Sequence, residues 1–121
     1  MLEHEEITGR IIGAALAVHR SLGPGFLESI YEQALAIEFA KRGIRFSQQH
    51  EVDIKYDAHP VGKHRLDFFI EGEIVVELKT VRDIADEHFV AVRSYLKALE
   101  KRHGLIINFS KPTLDVKRVI R

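Results

Sequence analysis

The chain has 121 residues, 45% hydrophobic and 30% charged, with 18 basic side chains balancing 18 acidic ones, enough for one domain with a real core. The lack of cysteine excludes a disulfide framework, a thiolate zinc site and a cysteine nucleophile, and it fits a reducing cytoplasm as the expected location. The neutral charge argues against a protein that grips nucleic acid through a basic surface alone, and no apolar run approaches the roughly 20 residues of a membrane span.

The acidic start, Met1 to Glu6, lacks a secretory pattern. Ile7, Ile11, Ala14, Ala15 and Val18 recur at helical spacing and predict a helix over about 5–22. Gly23, Pro24 and Gly25 break it, and a second helix is expected over about 26–42, with Gly43 placed to end it. Residues 44–56 read as extended, 57–60 as a turn, 64–79 as a hairpin turning at Gly72, and 81–86 as a polar connection. A third helix is expected over about 86–102, ended by His103 and Gly104; 105–109 is a short buried strand and 114–120 an edge strand. The order α-α-β-β-β-α-β-β implies one α/β domain over 1–121, a mixed sheet with helices packed on it. A helix between the third and fourth strands allows a parallel crossover there.

The hairpin carries the chemistry. Strand alternation puts Arg65, Asp67 and Phe69 on one face, and Val75, Glu77 and Lys79 on one face of the returning strand. With the turn centred on Gly72, Asp67 stands opposite Glu77. Facing like charges weaken a strand pair, so two carboxylates kept there inside apolar strands imply a cation between them, with the Lys79 ammonium on the same face. The plain alternative is a solvated face, and a one-residue slip in register would separate the pair. Glu28 is the third acid of interest. Leu35 and Phe39 follow it on nearly the same side of the second helix, so it borders the apolar face, whereas Glu32 is further round. A first-turn acid favoured by the helix dipole explains Glu28 equally well when taken alone.

Taken together these residues resemble a known family. Gly25, Glu28 and Tyr31 fit GxxExxY, and Asp67 with Glu77, Leu78 and Lys79 fits the D…ExK core of the PD-(D/E)XK nucleases. The run from Gly104 to Phe109 and Tyr95, Leu96 and Lys97 also look like the GxxExxY branch, over about 7–121. The resemblance implies a restriction-endonuclease-like mixed sheet flanked by helices and a nuclease hydrolysing phosphodiester bonds, DNA above RNA. Asp67, Glu77, the Leu78 carbonyl and Glu28 would bind Mg²⁺ or Mn²⁺, and Lys79 would orient the attacking water. A domain this small is expected to need extra surface to hold a duplex, so the resemblance leaves a homodimer open.

One position departs from the pattern. Nuclease branches with this layout often carry QxxxY on the third helix; here Tyr95 is present but Ala91 replaces the glutamine. Alanine cannot hydrogen-bond a phosphate or a metal's water. Tyr95, Arg93 and His88 are the remaining candidates for substrate contact, with a helix-surface role the plainer reading of His88. The rival to an active nuclease is therefore a nucleic-acid-binding or protein-interaction module that kept the fold and lost turnover. The seven histidines contain no HxxxH pair, which argues against a zinc site. Tyr31 reads as core with its hydroxyl reaching a partner. Asn108 either satisfies buried backbone groups or points to the site. Lys111, Lys117, Arg118 and Arg121 form either a solvated edge or a phosphate track.

Overall fold

Eight elements follow the expected order: α1 (Glu5–Leu22), α2 (Glu28–Lys41), β1 (Phe46–Tyr56), β2 (His59–Ile70), β3 (Ile74–Lys79), α3 (Asp86–Leu99), β4 (His103–Asn108) and β5 (Asp115–Ile120). The computed structural model describes residues 4–121, so Met1, Leu2 and Glu3 of the acidic start lie outside it. The strands form a five-stranded sheet in the order β1-β2-β3-β4-β5. Only β3 and β4 pair in parallel, and the other neighbours are antiparallel. The parallel step is the one that needs a crossover, and α3 supplies it. The result is one α/β domain with a mixed sheet and three helices, consistent with a restriction-endonuclease-like fold.

Burial on both sides of the sheet makes β3 apolar almost throughout. Ile74, Val76 and Leu78 face α1 and α2, packing with Ile11, Ala14, Val18, Tyr31, Leu35 and Phe39. Val75 faces α3, with Val92 and Leu96. Glu77 shares that second face by alternation and is only 8% exposed. Among the described residues, no helix is long and apolar enough to cross a membrane.

Three local expectations are corrected. The third helix stops at Leu99, with Glu100 in a left-handed conformation (φ 58°) as its cap. His103 and Gly104 open β4 instead of ending the helix. Gly104 is there for space: a Cβ would stand 2.9 Å from Val92 Cγ1, so glycine lets α3 press onto the sheet. The second helix starts at Glu28, leaving Phe26 and Leu27 exposed before it. The turn between β1 and β2 is two residues long, Asp57 and Ala58, both with positive φ (50° and 64°), the geometry of a tight hairpin. His59 and Pro60 already belong to β2. Proline is tolerated because the register shifts beside it: Ile54 pairs with Gly62 and Lys55 with Pro60.

The alternation expected for β2 also breaks, and it breaks at Asp67. Phe68 and Ile70 belong to the core under α1 and α2, whereas Leu66 belongs to the core under α3. Arg65 and Phe69 therefore do not share a face. Across from the break, Gln49 of β1 has φ 51°, between the pairs Gln48–Phe68 and His50–Leu66. A left-handed non-glycine residue within a strand is uncommon and costs backbone energy. It turns the outer part of the hairpin over, bringing Leu66 and Val52 against α3.

Candidate active site

The turn at Gly72 sets the register Ile70–Ile74, Phe69–Val75, Phe68–Val76. One more step would put Asp67 opposite Glu77, but the ladder stops there. The Asp67 carboxylate takes over, its Oδ2 accepting the Leu78 N–H at 2.7 Å. This bond fixes Asp67 beside β3, where Glu77 and Lys79 share a face.

Glu28 arrives from the other side of the sheet. The Tyr31 hydroxyl donates to the Gly23 carbonyl and accepts the Phe26 N–H at 3.2 Å, while its ring stacks on Phe109 with centroids 4.6 Å apart. The loop before α2 is thereby tied to the core, and Glu28 is held in the first turn. Asn108 performs a similar service after β3. Fully buried, it donates to the Val81 carbonyl at 2.7 Å and accepts the N–H groups of Val81 and Ser110. Phe109 N–H donates to the Lys79 carbonyl at 3.0 Å. The chain leaving Lys79 is thus anchored, and of the two readings of Asn108 the backbone one describes it.

Electrostatics couples the four residues. Burial pushes the Glu77 carboxyl up to about 9, reinforced by the Asp67 charge and a hydrogen bond to Asp67, with Lys79 opposing and Glu28 adding. Burial also raises Glu28, again with Asp67 adding and Lys79 opposing. Three carboxyl groups and one ammonium therefore act on one another across β2, β3 and α2. Burial, with the neighbouring carboxylates, thus favours the protonated form of Glu77 at neutral pH.

His64, Glu32, Gln48 and Gln49 join this neighbourhood, and only their place in the fold reveals them. The His64 ring stacks on Tyr95, centroids 3.7 Å apart and planes 11° off parallel. Its Nε2 lies 3.5 Å from Glu77 Oε1, and both atoms are buried without a hydrogen-bond partner. Burial holds His64 below the usual imidazole value and, with the Glu77 and Asp67 charges, raises the Tyr95 phenol. Glu32, expected further round the helix, accepts from Gln48 at 2.7 Å and from Gln49 at 2.8 Å. Gln49 also reaches Asp67 Oδ1 at 3.5 Å. The strained Gln49 backbone is what turns its amide toward the acids.

The other candidates stand apart. His88 caps α3, its Nδ1 accepting the Ala85 N–H at 2.9 Å. Arg93 is exposed, its guanidinium 6.0 Å from the Phe89 ring centre. Neither is among the groups that perturb Glu77 or Glu28. Lys111 is paired with Asp83 and Asp115, and Lys117 with Asp115, which favours a solvated edge over a phosphate track.

Among the described residues, no three His, Cys, Asp or Glu side chains converge into a ready metal-binding group. The donor chemistry nonetheless fits a hard divalent cation. Asp67 and Glu77 offer carboxylate oxygens, the Leu78 carbonyl lies between Glu77 and Lys79 in the chain, and Glu77 Oε1 is buried with nothing bonded to it. An ion there would offset both the burial and the Asp67 repulsion that push the Glu77 carboxyl up.

Comparisons with known proteins bear on the fold and the family. The chain is similar to the crystal structure of SSO0001, with TM-score 0.61 and 18% identity over 98% of this chain and 59% of that one. That likeness shows the fold alone, and the chain spans little more than half the length of its structural neighbour. No curated protein matches significantly. A sequence profile described as PD-(D/E)XK nuclease superfamily matches residues 5–119. Such nucleases generally use divalent metals and act on nucleic acid. Spanning nearly every described element and all four coupled residues, that match establishes that the chain belongs to the PD-(D/E)XK nuclease superfamily.

Proposed function

We propose that the protein is a divalent-metal-dependent nuclease of the GxxExxY branch that hydrolyses phosphodiester bonds, with DNA as the expected substrate. The observation that carries this reading is the coupling of Asp67, Glu77, Glu28 and Lys79 around a buried Glu77. A carboxyl pushed up by burial beside a second carboxylate is the kind of perturbation that functional sites concentrate. Asp67, Glu77 and the Leu78 carbonyl would hold Mg²⁺ or Mn²⁺, with Glu28 completing the acidic set. When bound, the ion supplies positive charge to the scissile phosphate and makes nearby water more acidic. Lys79 brings a compact cation with three donors. It orients the attacking water and donates to a phosphate oxygen as charge builds there. Water oxygen bonds to phosphorus as the ester P–O bond breaks; the attacking water gives up its proton to bulk solvent, and the leaving oxygen takes one from a solvent water.

Ala91 favours a second reading, a binding module without turnover, because α3 offers no amide in the turn before Tyr95. One experiment separates the two. Labelled single-stranded and duplex DNA and RNA are incubated with the protein and Mg²⁺, Mn²⁺ or chelator. The nuclease reading expects metal-dependent cleavage that Glu77→Ala and Lys79→Ala both abolish. Lys79→Ala should keep metal binding while the rate collapses. Binding without cleavage in every condition, unaffected by Lys79→Ala, would establish the module instead.

A further inference from the structure

Two buried polar atoms face each other with no partner: His64 Nε2 and Glu77 Oε1, 3.5 Å apart. Native structures leave few such groups unpaired, and each one needs a reason. Here the two come from different strands, β2 and β3, at the point where the ladder between them has ended. The imidazole is not loose. It lies flat on Tyr95 of α3, so its ring plane is fixed with Nε2 3.5 Å from the carboxyl oxygen. The face change at Asp67 produces this arrangement, by turning His64 and Leu66 toward α3.

We propose that His64, seated on Tyr95, is a positioning residue for Glu77: its Nε2–H donates to Oε1 and holds the carboxylate in place for a divalent cation. This rests on the metal site proposed above. His64 itself is not a ligand in this scheme. A carboxylate oxygen is a charged acceptor, and charge-assisted N–H···O bonds lie at about 2.7–2.9 Å. The gap of 3.5 Å then needs to shrink by roughly 0.6–0.8 Å, a movement the two side chains can share. The bond would also fix the tautomer, with the proton on Nε2. Partners of this kind, which touch the ligand and not the ion, commonly change metal affinity by about 10- to 100-fold.

The test is calorimetric titration of the intact chain with MnCl₂ at pH 7.5, with circular dichroism confirming the fold of each variant. His64→Ala should weaken Mn²⁺ binding about 10- to 100-fold. His64→Gln, whose amide N–H can replace the ring donor, should recover most of that loss. Tyr95→Phe keeps the stacking face and should bind as the wild type does, whereas Tyr95→Ala should weaken binding in the same direction as His64→Ala. In the His64→Ala background, Tyr95→Ala should add nothing, an outcome that a general loosening of the fold would not give. Equal affinity in wild type and His64→Ala, or a His64→Gln as poor as His64→Ala, overturns the assignment while leaving the metal site standing. Should His64→Ala fail to fold, Tyr95→Ala decides alone, and unchanged affinity there overturns it too. A wild type that takes up no Mn²⁺ sinks the metal site and this inference with it, and the first titration shows which has failed.

Discussion

Replacing Glu77 by glutamine should make the metal-free protein more stable, and by an amount that grows with pH. The ordinary value of this carboxyl is 4.5 and its folded value is about 9. A group whose folded value is raised gives stability that is complete below its unfolded value and is lost as pH rises toward the folded one. At pH 8 the folded protein must therefore keep a proton that the unfolded chain has released. Each pH unit in that window is worth about 1.4 kcal/mol, so the roughly 3.5 units from 4.5 to pH 8 set an upper bound of ~5 kcal/mol. Water entry and an effective dielectric nearer 20 than 4 reduce this to ~2–3 kcal/mol. For a chain of this length that is a rise of roughly 10 °C in Tm. The assay is thermal unfolding of wild type and Glu77→Gln in chelator from pH 4.5 to 8.5. The two curves should coincide at the acid end and separate steadily above it. Identical melting at pH 8 would refute the claim that burial and Asp67 load this carboxyl.

Three further outcomes follow from the same structure. Cation uptake must expel the Glu77 proton, so Mn²⁺ binding below about pH 9 should release close to one proton, and affinity should climb by up to about tenfold per pH unit; titrations in buffers of different ionisation enthalpy measure both. Asn108→Ala strips partners from the Val81 N–H and carbonyl and from the Ser110 N–H, and should cost about 3 kcal/mol in chemical denaturation. Gly104→Ala drives a methyl to 2.9 Å from Val92 Cγ1 and should cost about 1–3 kcal/mol, with Val92→Ala in the same chain restoring part of it.

Much of this architecture is legible in the order of residues. The helical spacing over α1, the turn at Gly72 and the alternation of Val75, Glu77 and Lys79 are local patterns, and local geometry obeys them. Gly25, Glu28 and Tyr31 also announce themselves, because loop and helix start are close in sequence. What stays hidden depends on distant segments. The face change at Asp67 is tied to a left-handed Gln49 eighteen positions earlier, and no periodicity in β2 foretells it. Glu32 is separated from the acids by helix geometry alone and is brought to them by β1 amides. His64 reads as one of seven scattered histidines; its only signal is a strand position three residues before Asp67. Gly104 reads as a helix stop because its real constraint is a side chain twelve residues away, on a packed helix.

The break at Asp67 also divides the molecule by how firmly its amides are held. β1 and β2 pair along ten positions, yet β2 is registered with β3 only over Phe68, Phe69 and Ile70. Beyond that point the hairpin is fastened to the domain mainly by Val52 and Leu66 under α3. Hydrogen exchange should therefore fall into two tiers, with residues 50–65 opening as a cooperative unit at lower free energy than β3 and β4. Asp67 stands at the boundary between the tiers, so each opening of the outer hairpin tugs at one of the carboxylates. Anything that bridges Asp67 to β3 would slow exchange across the whole arm, and protection in residues far from the acids would then report on what the acids hold.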